Sequence, residues 1–323
     1  MRMTALLSAM LLAAAVASAQ TTPAQTNAPQ APSSSTPAAG SAQTSPPASP
    51  HRMLQAKSED ELKAYQAASA ETDPAKAEAA ANDFAAKFPN SELRAALYMR
   101  VMNLYAQSNN TNKVIETGRQ AIAADPTNPV PLMEVASSLA ETTRDTDLDR
   151  EQRLAEAAKD AHAAIDNIDT GLLVPANADP ARVAAAKHTI LTNSYDTLGL
   201  VDMSRNDYKS AASNLQKAID ISQDNPEAVL YLRLSVVQDK LQQYQEALDS
   251  ANKAVQYAKD GTPAQNLAKQ QQERLKKLIE AQSAPGAGTA PGGAAPKTTP
   301  QTAPIPGAQT SPSPVPGSPS TPH

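Results

Sequence analysis

The chain has 323 residues, 33 of them acidic and 28 basic, with no cysteine and no tryptophan. A chain without cysteine has no disulfide, no thiolate metal site, no cysteine nucleophile and no thiol to carry a lipid anchor. All 33 acidic residues lie between Glu59 and Glu280; with 25 basic residues in 53–282 they give that stretch a formal charge of −8, a field that opposes general nucleic-acid binding.

Residues 1–19 read as a secretory signal. Arg2 supplies a minimal positive start, TALLSAMLLAAAVA the apolar run, and Ala17-Ser18-Ala19 a small-residue cleavage site that leaves Gln20 first. The run is shorter than the ~20 residues that span a bilayer. After cleavage the sequence predicts no integral membrane segment and a periplasmic or secreted location. Residues 20–52 and 283–323 hold 18 of the 27 prolines and seven of the 11 glycines, with almost no charge. Such segments cannot bury enough apolar surface to offset their ordering entropy, so both are expected to be disordered tails around a folded unit at 53–282. They read as linkers, although Pro304-Ile305-Pro306 and Pro312-Ser313-Pro314-Val315-Pro316 also suit a proline-reading groove.

Within 53–282 the apolar spacing is helical and good helix formers dominate. Helices are predicted at 58–70, 74–87, 91–108, 111–124, 129–143, 150–168, 180–204, 207–222, 226–241, 244–259 and 262–282. Four starts have a stated cause: Asp73-Pro74, Asp179-Pro180, Asn225-Pro226 and Thr262-Pro263 each put a capping residue before a proline at the first helical position. Short connections make neighbouring helices antiparallel.

The chain then says nearly the same thing twice. DYKSAASNLQKAI at 207–219 returns as QYQEALDSANKAV at 243–255, 36 residues on. Tyr195, Leu198, Gly199, Tyr208, Ala211 and Ala218 become Tyr231, Leu234, Ser235, Tyr244, Ala247 and Ala254. Earlier units are looser: Tyr98, Val101 and Tyr105 with Val114, Gly118 and Ala121; then Leu132, Val135, Ala136 and Leu139 with Ala157, Ala161 and Ala164, after an insertion around TRDTDLDREQR. The pattern resembles the tetratricopeptide repeat, a helix–turn–helix unit of about 34 residues. The stretch Ala80, Phe84 and Phe88-Pro89-Asn90-Ser91 is similar to repeats of bacterial envelope assembly proteins. The resemblance implies a right-handed all-α solenoid of about five helix pairs. The last helix, with Leu267, Leu275, Leu278 and Ile279 as its apolar stripe, caps the open end. Small residues at 199, 211, 235 and 247 let paired backbones approach, and Ala218 and Ala254 admit the next pair. The stretch DNIDTGLLVPANADP at 166–180 intrudes before the fourth pair and predicts irregular geometry there.

No motif for catalysis stands out. GxSxG, HExxH and P-loop patterns are absent. His162 and Asp166, four apart on one helix, read as a surface pair, and TRDTDLDRE as a solvated loop without the glycine and spacing of a calcium loop. No cofactor or metal is expected. The resemblance implies a concave groove lined by the first helix of each pair that binds a protein or peptide partner. The groove positions it implies are Met99, Asn103, Met133, Ser137, Asp196, Leu200, Met203, Leu232, Arg233, Val236 and Asp239. The apolar ones have a second reading as core between repeats. Met99 stands where a lysine clamp for a C-terminal carboxylate would begin, so that mode is not matched. The sequence thus predicts a non-enzymatic interaction scaffold in the bacterial envelope. The alternative is a secreted or surface component held to envelope polymer by its proline-rich tails.

Overall fold

The computed structural model describes residues 54–175, 177–223 and 225–283; the expected signal, the expected tail at 20–52 and all but Ser283 of that at 283–323 lie outside them. Eleven helices follow one another within that range. They are α1 (Glu59–Ala70), α2 (Pro74–Lys87), α3 (Leu93–Gln107), α4 (Thr111–Ala124), α5 (Pro129–Thr142), α6 (Arg150–Asp166), α7 (Pro180–Ser204), α8 (Tyr208–Ile221), α9 (Ala228–Lys240), α10 (Tyr244–Tyr257) and α11 (Pro263–Ser283).

Every predicted helix is present, because the punctuation in the sequence is made of working caps. Asp73 Oδ1 accepts the Lys76 N–H at 3.0 Å, Asp179 Oδ1 that of Ala181 at 3.0 Å, and Thr262 Oγ1 that of Gln265 at 3.3 Å. Asn128, before Pro129, adds a fourth cap of the same kind through Val130 N–H at 3.1 Å. One expected cap is corrected. Asn225 donates its N–H to Ser222 O at 2.8 Å, closing the exit turn of α8. The chain then stays extended through Glu227 (φ −103°, ψ 115°), and α9 begins at Ala228 instead of Pro226.

Helices pack as α1–α2, α3–α4, α5–α6, α7–α8 and α9–α10, and each pair meets the next through its second helix and the following first helix. First helices also touch directly, α1 with α3 and α5 with α7. The small residues sit where the repeat requires them. Ala211, Ala218, Ala247 and Ala254 are fully buried. A Cβ on Gly199 would stand 2.8 Å from Leu215 Cγ. Its counterpart Ser235 uses the close approach differently, donating its hydroxyl to Ala247 O at 2.7 Å. Leu275 of α11 joins Ala247 and Ala251, and Ala268 joins Ala254, so α11 does cover the last pair. Leu267, expected in that stripe, is 55% exposed; Ala268 takes the inward place because the buried face runs through 265, 268 and 275.

The 36-residue repeat holds at the level of contacts. Lys217 stands 5.2 Å from the Tyr195 ring centre, and Lys253 stands 5.5 Å from that of Tyr231. Asn214 donates to Asp202 at 2.9 Å, and Ser250 donates to Gln238 at 2.7 Å. Three of the turns inside pairs are one turn. Asn109 (φ 56°), Asn206 (φ 61°) and Gln242 (φ 63°) take the left-handed conformation. In each, that residue's N–H returns to the carbonyl three back, and the next N–H to the carbonyl five back: Asn110 to Tyr105, Asp207 to Asp202, Gln243 to Gln238. This closes the outgoing helix, and the following residue opens the incoming one. Asn110 and Asp207 cap α4 and α8 with their side chains, whereas Gln243 makes no side-chain cap. Glutamine pays a steric penalty in the left-handed region that glycine does not. Gln242→Gly is therefore expected to stabilise the chain by about 0.5–1 kcal/mol, net of the added freedom of the unfolded chain. Gln243→Asp should add about 1 kcal/mol through the missing cap. Urea denaturation of each variant checks both signs.

Candidate functional site: the row of first helices

The first helices α3, α5, α7 and α9 present corresponding positions in one row, and their side chains divide into three groups. The first group is interior. Met99 is 4% and Met133 1% exposed, so both lie within the core, in agreement with the core reading of the apolar groove positions. The Asn128 amide points at the Met99 sulfur, 3.4 Å away.

The second group ties repeat to repeat. Ser137 Oγ and Thr197 Oγ1 share a hydrogen bond of 3.0 Å between α5 and α7. Arg233 pairs with Asp196 between α9 and α7, and Arg274 with Asp239 between α11 and α9. These positions, expected to meet a partner, make contacts between repeats. Their backward reach is regular. Two residues after the Tyr or Leu that opens each pair, the side chain turns to the previous pair: Arg100 to Glu71 O at 2.9 Å, Thr197 to Ser137, Arg233 to Asp196.

The third group is partly exposed, with Leu200 packed in part against the cluster of Val135 and Leu139, and Met203 and Leu232 in part against that of Leu215 and Leu234. Asn103, Leu200, Met203, Leu232 and Val236 are half-buried. Four of these five are aliphatic or thioether side chains, and all four stand on α7 and α9. The C-terminal part of the row therefore keeps four partly exposed apolar side chains on the two helices that carry Asp196, Arg233 and Asp239.

One feature escaped the sequence. At the backward-reaching position of α5 stands Glu134, in a notch with Asn109, Asn110, Val114, Ser138 and Glu141. Burial, and secondly the Glu141 carboxylate, push its carboxyl up to about 7. Among the described residues no cation is paired with it. Comparing position 134 with Arg100, Thr197 and Arg233 in register is the signal that would have found it. Three other carboxyls, Asp160, Asp202 and Glu227, are raised by burial. Asp160 reaches about 6, helped by Glu156, and Glu227 is raised further by Asp196 while Arg233 opposes.

No trio of histidine, aspartate or glutamate among the described residues is placed to hold a metal ion. His162 and Asp166 are both exposed on α6. No helix among the described residues is long and apolar enough to cross a membrane.

Paired antiparallel helices, small residues at every close crossing and a capping helix at the end leave one description. The fold is a solenoid of tetratricopeptide-type pairs. No family model matches the chain, and no curated protein does. Solved structures do. A crystal structure of MamA is 14% identical, with 56% of this chain and 96% of that one covered at a TM-score of 0.35. The Assembly Chaperone of RpL4 (Acl4) is 12% identical, covering 70% of this chain and 99% of that one at 0.34. The APC/C hetero-tetramer Cut9–Hcn1 is 15% identical, covering 67% and 42% at 0.31.

Proposed function

We propose that this solenoid is a non-enzymatic protein-interaction scaffold, exported to the bacterial cell envelope, that binds a protein or peptide along its first-helix row. The observation that carries the reading is the half-buried set Leu200, Met203, Leu232 and Val236 on two first helices of the row, with Leu200 and Val236 one repeat apart. Apolar side chains held at a fixed spacing offer a partner a surface whose ordering is already complete, so association loses less conformational freedom. Methionine at 203 adapts to varied partners. The ionisable side chains on this face act as ties between repeats, which supports binding over chemistry. The signal-type segment at 1–19 supports export.

A photo-crosslinking residue placed at Val236 or Met203 of the full chain, in cells, tests this. Ser213, exposed on the second-helix side, serves as control. Discrete protein adducts are expected at 236 and 203 and not at 213, and Leu200→Glu should reduce them at least fivefold. Identical adducts at all three positions would remove the first-helix row from the account.

A further inference from the structure

Residues 167–179, between α6 and α7, break the repeat, and the structure gives residues 167–175 a specific place. It leaves α6 through a closed turn: the Asn167 side chain donates to Ala163 O at 2.8 Å, and Gly171 N–H donates to Asn167 O at 2.8 Å. Gly171 then lies flush on the turn that leads into α5. A Cβ there would fall 1.7 Å from Thr127 O, so only glycine fits. Past that point the chain is aliphatic. Leu172 (4% exposed) and Val174 (7%), with Ile168 (8%), join one cluster with Leu132, Met133 and Ile190. Leu173 packs on the separate cluster that contains Met99. The segment therefore reaches from α7, past the start of α5, to the core around α3. On the far side α7 is lengthened to meet it: 25 residues, against 15 in α3 and 14 in α5, with Val183, Ile190 and Leu191 beside the insertion.

The covered residues are informative. Met99 and Met133 each follow the residue that opens their pair, Tyr98 and Leu132. In the two later pairs the same place is held by Asp196 and Leu232, both half-buried. One position of the row is thus half-buried in the C-terminal half and buried in the N-terminal half. Among the described residues the segment's hydrogen bonds run to itself, to α6 and to α7, the last through Asp179 and through Asp169, which pairs with Lys187 at 2.7 Å in an exposed position, and Leu173 has a bridge-type backbone pairing. What it offers α5 and α3 is side-chain apolar surface, the kind of hold that an incoming peptide can replace one residue for another.

We propose that residues 168–174 are an intramolecular ligand: an aliphatic strap seated in the N-terminal half of the first-helix row, displaced by a protein partner that carries an aliphatic segment of its own. This rests on the reading of that row as a binding face. It assigns a second, self-occupied docking surface, with Met99 and Met133 beneath it and a sequence of the type Leu-Leu-Val-Pro as its preferred occupant.

The absence of cysteine makes the test direct. In the full chain, Met133→Cys is the sole thiol, and its rate of maleimide labelling reports opening of the strap. Two loosened forms carry either Leu172→Ser, Leu173→Ser and Val174→Ser together, or Gly171→Ala alone, which presses on the Thr127 carbonyl and leaves the aliphatic residues intact. Each loosened form is expected to label at least about tenfold faster than the parent while keeping its helical circular dichroism. A synthetic peptide of residues 166–179 should restore protection saturably to the triple variant, and the same peptide with serine at 172–174 should not. Parent-like labelling in folded Gly171→Ala, or no protection by the peptide in the folded triple variant, overturns the proposal. Loss of helix in both variants also overturns it, since the segment is then structural core. Photo-crosslinking at 236 is independent of this measurement, so failure of the strap leaves the C-terminal half of the row standing, and the reverse.

Discussion

Gly118→Leu is expected to destabilise the chain by at least 3 kcal/mol and to split its unfolding into two transitions. Gly118 is on α4, where the second pair meets the third. A Cβ at this position would stand 2.4 Å from Val135 Cγ2 and 3.1 Å from Met102 Sδ. Val135 is fully buried and Met102 is 1% exposed, so neither has space to retreat into. Val135 is also β-branched and held in one rotamer on its helix. Glycine inside a helix costs about 1 kcal/mol relative to alanine; the chain accepts that because α5 needs the room. Even Gly118→Ala should therefore destabilise, by about 1–2 kcal/mol net, since overpacking outweighs the propensity gained. The cause is checked by a double variant. Val135→Ala empties the space that the new Cβ needs, so Gly118→Ala with Val135→Ala should be more stable than the sum of the two single changes by at least about 1 kcal/mol. Additive single effects would mean that the clash is not the reason. Two transitions follow from the array's connectivity. In stacked repeats stability is carried by neighbour interfaces, and weakening this one leaves α1–α4 and α5–α11 to melt separately. Gly199 meets Leu215, which is not β-branched and so is less fixed in its rotamer than Val135, and should tolerate alanine better.

The helices and their pairing were legible from sequence because their determinants are local: a cap before a proline, small residues at fixed spacing, and a 36-residue echo from Tyr195 to Tyr231. The same locality exposed the error at α9, where Asn225 had two uses and the turn took it. The face of the row was less legible. Met99 and Met133 occupy groove positions by register, yet they are covered by a segment more than 30 residues further along the chain, and nothing near either residue announces it. Asp196, Arg233 and Asp239 read as available charges, but each finds its counterpart on a neighbouring helix 35 to 37 residues away. That distance is the repeat length itself, so the pairing was in principle readable once the register was drawn. Glu134 is the converse case. Its register was readable, but its lack of an opposing cation shows only when α3, α4 and α5 are assembled.

Replacing that carboxylate should reveal its burden. Glu134→Gln is expected to stabilise the chain at pH 8 by about 2–3 kcal/mol and to leave it unchanged at pH 4. The sign follows from where the proton is held. The folded chain binds it at about 7 and the unfolded chain at 4.5. Folding therefore takes up a proton between those values. Stability from this site is fully present below about pH 4.5, declines as pH rises, and is lost once pH passes 7. Above that, the fold carries an ionised group that burial and Glu141 both disfavour. Glutamine keeps the shape and does not ionise, so the difference between variant and parent should open across this window. Asp160, raised to about 6 by burial and Glu156, titrates in part of the same range. It is common to both proteins and cancels in the comparison. Glu141→Gln should produce a smaller gain of the same sign, because it removes the lesser of the two causes. Urea titrations of parent and both variants at pH 4, 6 and 8 decide the matter. A Glu134→Gln effect that is flat with pH would mean the carboxylate is already solvated in the folded chain. A loss of stability at pH 8 would mean that its charge is matched by a group elsewhere. The expected curve instead marks the α3–α5 seam as the place where this solenoid tightens as the solution becomes acidic.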